Sequence, residues 1–116
     1  MYTILVVDDD DDIRNTLQEI LEAEGYQTAK AANGQAALEL LDQIPPPSLI
    51  LLDWLMPHMT GDEFLVKFAT TPHASIPVIL LSAGKDIPDV EKAVAVANKP
   101  IDLNALLALV ECHLKP

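Results

Sequence analysis

The chain has 116 residues, half of them apolar, with 18 acidic against 7 basic side chains and a formal net charge of −11. That length suits one domain, expected over 1–116, with enough core to fold without staples. The charge disfavours nucleic acid and anionic membrane as partners, the lone Cys112 excludes an internal disulfide, and no apolar run is long enough to span a bilayer.

The chain opens on Met1-Tyr2-Thr3 without a basic stretch, so no signal peptide is expected. A cytoplasmic location follows as the expectation, and the single cysteine fits a reducing compartment. Ile4-Leu5-Val6-Val7 is a continuous apolar run, the pattern of a strand buried on both faces. It ends in five carboxylates, Asp8 to Asp12. Ile13, Leu17, Ile20 and Leu21 recur at helical spacing, Asp10 or Asp11 can cap that helix, and Gly25 closes it. Tyr26 to Ala31 predicts a weaker strand. Asn33-Gly34 predicts a turn, and Ala36, Ala37, Leu40 and Leu41 a short helix that ends before Pro45-Pro46-Pro47.

Leu49-Ile50-Leu51-Leu52 is a second fully apolar run, ending in Asp53. A loop marked by Pro57 follows, then a helix over 61–69 with Phe64, Leu65 and Phe68 on one face. Ile76 to Leu81 predicts a fourth strand ending in Ser82. Pro88 can open a brief helix, Ala93 to Ala97 predicts a small strand leading to Lys99-Pro100, and Asp102 to Leu114 an amphipathic helix that aligns Leu103, Leu106, Leu107, Val110 and Leu114. Apolar strands alternating with helices call for a parallel sheet covered on both faces.

In a parallel sheet the strand ends share one edge, where ligands of open α/β folds bind. Asp8, Asp9, Asp53, Ser82 and Lys99 should therefore meet there. Three carboxylates brought together repel, and would either keep a proton or hold a hard cation. Mg²⁺ suits them best, since it takes oxygen ligands and pairs with phosphate. A carboxylate beside such an ion, with a hydroxyl and an ammonium near, is equipped for phosphoryl transfer. Asp10, Asp11 and Asp12 are expected as cap and solvated face. Met56 and Met59 are expected as packing, Trp54 as a part-exposed lid or partner contact, and His58, His73 and His113 as surface residues without ligand spacing.

Taken together, Val7-Asp8-Asp9, the stretch Asp53-Trp54-Leu55-Met56-Pro57-His58-Met59-Thr60-Gly61, Leu81-Ser82-Ala83 and Lys99-Pro100 resemble the receiver domains of two-component response regulators, of the chemotaxis regulator kind. The resemblance covers nearly the whole chain. It implies a flavodoxin-like doubly wound sheet in the order 2-1-3-4-5. It also implies that Asp53 accepts a phosphoryl group from a histidine kinase or phosphotransfer protein, and that Asp8, Asp9, Asp53 and the Leu55 carbonyl hold Mg²⁺. Ser82, the Ala83 backbone N–H and Lys99 would contact the phosphoryl group, and the bond before Pro100 would be cis. Such a domain modifies only itself and switches a downstream protein or an attached output domain.

Two departures from the resembled pattern bear on output, and two further positions bear on lifetime. The stretch 83–98 between Ser82 and Lys99 is short, so the fourth helix is expected to be a turn or two. Val96 stands where the family carries an aromatic switch residue, so the chemistry is expected to survive without that ring. Leu55 and Gly84 offer no side chain to orient water, which predicts slow self-dephosphorylation. The other readings are a degenerate receiver that docks constitutively and, more remotely, a Mg²⁺-dependent phosphohydrolase of the haloacid-dehalogenase type. The latter wants a second aspartate where Leu55 stands.

Overall fold

A computed structural model describes residues 2–54, 60–83, 95–99 and 102–114. Five strands, β1 (Thr3–Val7), β2 (Gln27–Ala31), β3 (Leu49–Asp53), β4 (Val78–Ala83) and β5 (Ala95–Lys99), form one sheet. Every ladder is parallel and the order is β2-β1-β3-β4-β5, as expected. Four helices are described: α1 (Asp11–Ala23), α2 (Gly34–Leu41), α3 (Gly61–Phe68) and α4 (Leu103–Leu114).

The central strands are apolar at successive positions because both faces of the sheet are covered. Side chains alternate between faces. Leu5, Val7, Ile50, Leu52, Val78 and Leu80 pack against Ala37 and Leu41 of α2 and Phe64, Leu65 and Phe68 of α3. Ile4, Val6, Leu49, Leu51, Ile79 and Leu81 pack against Leu17 and Leu21 of α1 and Leu106, Val110 and Leu114 of α4. Burial of the Val, Leu, Ile and Phe side chains among them contributes on the order of 1.5–3 kcal/mol each.

Local chemistry sets the helix ends. Asp10 caps α1, its Oδ1 accepting from the N–H groups of Asp12 and Ile13 at 2.9 and 3.2 Å. Gly25 follows the C-cap Glu24 at φ 93°, a conformation that favours glycine, and it ends α1 where expected. Asp102 caps α4 by accepting from Asn104 and Ala105.

The structure corrects several boundaries. Asn33-Gly34 is the cap and first residue of α2, since Asn33 Oδ1 accepts from the Ala36 N–H at 2.7 Å. β4 begins after Pro77, which has no N–H to give the ladder, and runs through Ser82 to Ala83. β5 lies two residues later than expected and includes Lys99. Leu103, placed in the apolar stripe of the last helix, is 42% exposed at its first turn. The expected short helix near Pro88 lies outside the described residues, as does residue 84. No helix among the described residues is long and apolar enough to cross a membrane.

Candidate functional site

Sheet register brings the strand ends together. Val7 is paired with Leu52, so the next residues, Asp8 and Asp53, sit side by side across β1 and β3. Asp53 is in turn level with Leu81, which places Ser82 one step beyond it on β4. Ser82 is level with Asn98 and Ala83 with Lys99 on β5. From β1 to β5 the edge therefore reads Asp8, Asp53, the Ser82 hydroxyl, and the backbone position that carries a lysine.

Asp8 is fully buried, Asp53 is 4% exposed and Ser82 is 2% exposed. They are the buried polar or charged side chains among the described residues, and all three lie at this edge. Placing carboxylates here costs desolvation and mutual repulsion, which folding tolerates only with compensation by cations or donors. Asp9 is exposed and completes the cluster: carboxylate oxygens of Asp8, Asp9 and Asp53 all lie within 4.8 Å of one another. Two oxygens on opposite sides of a hard divalent cation stand about 4–5 Å apart. The donor set and its spacing therefore fit such an ion.

The loop into α1 is tightly tied. The Asp8 N–H donates to the Ala31 carbonyl at 3.2 Å, and Asp8 Oδ1 accepts from the Asp10 N–H at 2.9 Å. Arg14 Nη1 donates to the Asp8 carbonyl at 2.7 Å, while Nη2 donates to Asp11 Oδ1. Arg14 was not among the residues singled out by motif. One signal was available, because it is the one cation in the stretch from Asp8 to Glu24.

On the other side of Asp53, the Trp54 N–H donates to the Leu81 carbonyl, and the Trp54 carbonyl accepts from the Gly61 N–H, both at 2.9 Å. That second bond closes the loop after β3. A Cβ at Gly61 would lie 2.6 Å from Trp54 Cε3 and 3.2 Å from its Cα. Gly61→Ala is therefore expected to displace the indole and to destabilise the fold by about 1–3 kcal/mol. A shifted tryptophan emission together with a lowered melting temperature would bear this out; unchanged emission would contradict the contact.

The Leu55 carbonyl, Met56, His58, Met59 and the bond to Pro100 lie outside the described residues, and for Lys99 the description is limited to its backbone in β5. Ala83 ends β4. His73 is a partner of Asp42, with Nε2 3.6 Å from Oδ1, far along the chain from the cluster. Cys112 is an exposed free thiol. Val96 is half-buried and packs against the core on the α2–α3 face.

A family model described as the response regulator receiver domain matches residues 4–111. The chain is 34% identical over 116 residues to sporulation initiation phosphotransferase F of Bacillus subtilis, covering 96% of this chain and 92% of that protein. It is 38% identical over 120 residues to a Vibrio cholerae protein named "Probable cyclic di-GMP phosphodiesterase", of which it spans 26%. Among solved structures, the signal receiver domain of a signal transduction histidine kinase from Syntrophus aciditrophicus superposes with a TM-score of 0.87 at 34% identity, with 98% of this chain and 90% of that one covered.

Proposed function

The chain belongs to the response regulator receiver domain family of two-component signalling, and from that membership we propose that Asp53 is its phosphoacceptor. The observation that carries this is the convergence of buried Asp8, Asp53 and Ser82 on one sheet edge, with carboxylate oxygens of Asp8, Asp9 and Asp53 within 4.8 Å of one another. In the proposed reaction an Asp53 carboxylate oxygen attacks the phosphorus of a phosphohistidine on a sensor kinase or phosphotransfer protein. The new P–O bond makes an aspartyl phosphate, the P–N bond breaks, and its electron pair returns to the imidazole nitrogen.

Asp8 and Asp9, with Asp53 and the Leu55 carbonyl, would hold Mg²⁺, which would neutralise phosphoryl oxygens in the transition state. Ser82 would donate its hydroxyl hydrogen to a phosphoryl oxygen, the Ala83 N–H would donate to another, and the Lys99 ammonium would balance the added charge. A cis bond at Pro100 would turn the chain directly after Lys99, the last residue of β5. The phosphoryl group brings about −1.5 to −2 charges and three acceptor oxygens. That change would favour one of two pre-existing conformations, which a downstream protein or output domain reads.

On this account 1–116 is one receiver unit that works in the cytoplasm and modifies itself without turning over a separate substrate. Nucleic acid and membrane would not bind it directly, given the net charge of −11.

Incubation with acetyl phosphate, followed by intact mass, tests the reaction. One added phosphoryl group is expected with Mg²⁺ and none with EDTA; an equal adduct in EDTA would overturn the metal requirement. Lifetime is tested separately. With Leu at position 55, no side chain two residues after Asp53 can orient water, so Leu55→Asn should shorten the half-life of the phosphoryl group several-fold. An unchanged half-life would contradict that account.

A further inference from the structure

We propose that Arg14 is a positioning residue for the metal site: by bonding the Asp8 carbonyl, it fixes the peptide plane that aims Asp9 at the cation. The proposal rests on reading Asp8, Asp9 and Asp53 as a Mg²⁺ site.

Arg14 stands on the first turn of α1 and folds back over the loop that precedes it. Its side chain is 14% exposed. One guanidinium reaches two points, the Asp8 carbonyl at the end of β1 and the Asp11 carboxylate at the start of α1. Its planar fork suits that bridge, whereas a lysine ammonium would bond as a single point.

Asp9 itself is exposed, so packing does little to aim it. Its direction depends on the two peptide units that flank it. The unit between Asp8 and Asp9 is held at its oxygen by Arg14, at 2.7 Å. The unit between Asp9 and Asp10 is held at its nitrogen by Asp8 Oδ1, at 2.9 Å. Both backbone dihedrals of Asp9 thus lie between fixed planes, and Arg14 fixes one of them. A ligand held this way needs no reorganisation when the ion arrives.

A rival role is charge compensation, since Arg14 lies beside five consecutive aspartates. The two roles predict opposite signs. If Arg14 only offsets charge, its removal leaves a more negative site and Mg²⁺ binds more tightly. If it positions Asp9, removal weakens binding despite the extra negative charge.

The test is a Mg²⁺ titration of the full chain, read by calorimetry and by emission of Trp54, the one tryptophan, which adjoins Asp53. Wild type, Arg14→Ala, Arg14→Lys and Lys30→Ala would be compared, with thermal melting in EDTA to confirm folding. Losing such an outer contact typically costs 10–100-fold in metal affinity, so Arg14→Ala should bind about 10-fold or more weakly. Arg14→Lys should recover part of that loss. Lys30, which bonds Asn15 rather than the loop, removes the same charge and should leave affinity close to wild type. Arg14→Ala binding as tightly as wild type, or more tightly, overturns the proposal. If Arg14→Ala does not fold, wild-type affinity in Arg14→Lys overturns it instead. Absence of Mg²⁺ binding by wild type would be a different result, and would bring down the metal site on which the proposal stands.

Discussion

Asp53→Asn is expected to abolish phosphorylation by acetyl phosphate altogether and to weaken Mg²⁺ binding by about 10-fold or more. The substitution is nearly isosteric, so the end of β3 keeps its shape between β1 and β4. What it removes is the anionic oxygen. An amide oxygen cannot displace a leaving group from phosphorus to give a stable acyl phosphate, and it is a poorer ligand for a hard cation than a carboxylate. Asp53 is asked to perform both tasks, so both readouts should fall together. Intact mass measures the first and Mg²⁺ titration the second. A variant that still gains one phosphoryl group would show that another residue is the acceptor.

The second large effect is on stability. Phe64→Ala is expected to destabilise the protein by about 3–5 kcal/mol, against a total on the order of 5–15 kcal/mol for a domain of this kind. Phe64 is fully buried, and its ring stacks on that of Phe68 with centroids 5.5 Å apart and planes 15° apart. These are the chain's two phenylalanines. Their neighbours in that layer are mostly aliphatic side chains from α2 and the sheet, already packed into it. They cannot collapse far enough to fill the space a benzyl group leaves. Urea unfolding at constant m measures the loss. A loss under about 1 kcal/mol would mean that α3 repacks freely over the sheet.

Much of this architecture was legible because the central strands are continuously apolar. Ile4 to Val7 and Leu49 to Leu52 are buried along their whole length, and two-sided burial leaves no polar alternation to misread. Asp8 and Asp53 stood out for the same reason, as carboxylates that directly follow such runs. The matching of residues 4–111 to the receiver family agrees with the resemblance drawn from those strand ends and favours it over a constitutive docking module or a phosphohydrolase.

Register was harder to read. The apolar run predicts a fourth strand from Ile76 that ends in Ser82, whereas the Ile50 N–H bonds the Pro77 carbonyl, β4 begins at Val78 and the ladder runs one residue further, through Ala83. The small residues Ala93 to Ala97 carry too little periodicity to set a strand boundary, and pairing with β4 decides it. Asn33-Gly34 was ambiguous because an Asn side chain serves a turn and a helix cap equally well. Arg14 was overlooked for a different reason. In a run of charges it resembles a solvated face, and its bond to the Asp8 carbonyl exists only once the loop has folded back.

The most direct test of the central claim is to locate the phosphoryl group. After reaction with acetyl phosphate and Mg²⁺, borohydride reduction converts an aspartyl phosphate to homoserine, which peptide mass spectrometry assigns to a position. Homoserine at position 53 is the predicted result. Homoserine at 8 or 9, or a phosphate retained on Ser82 or on a histidine, would contradict it.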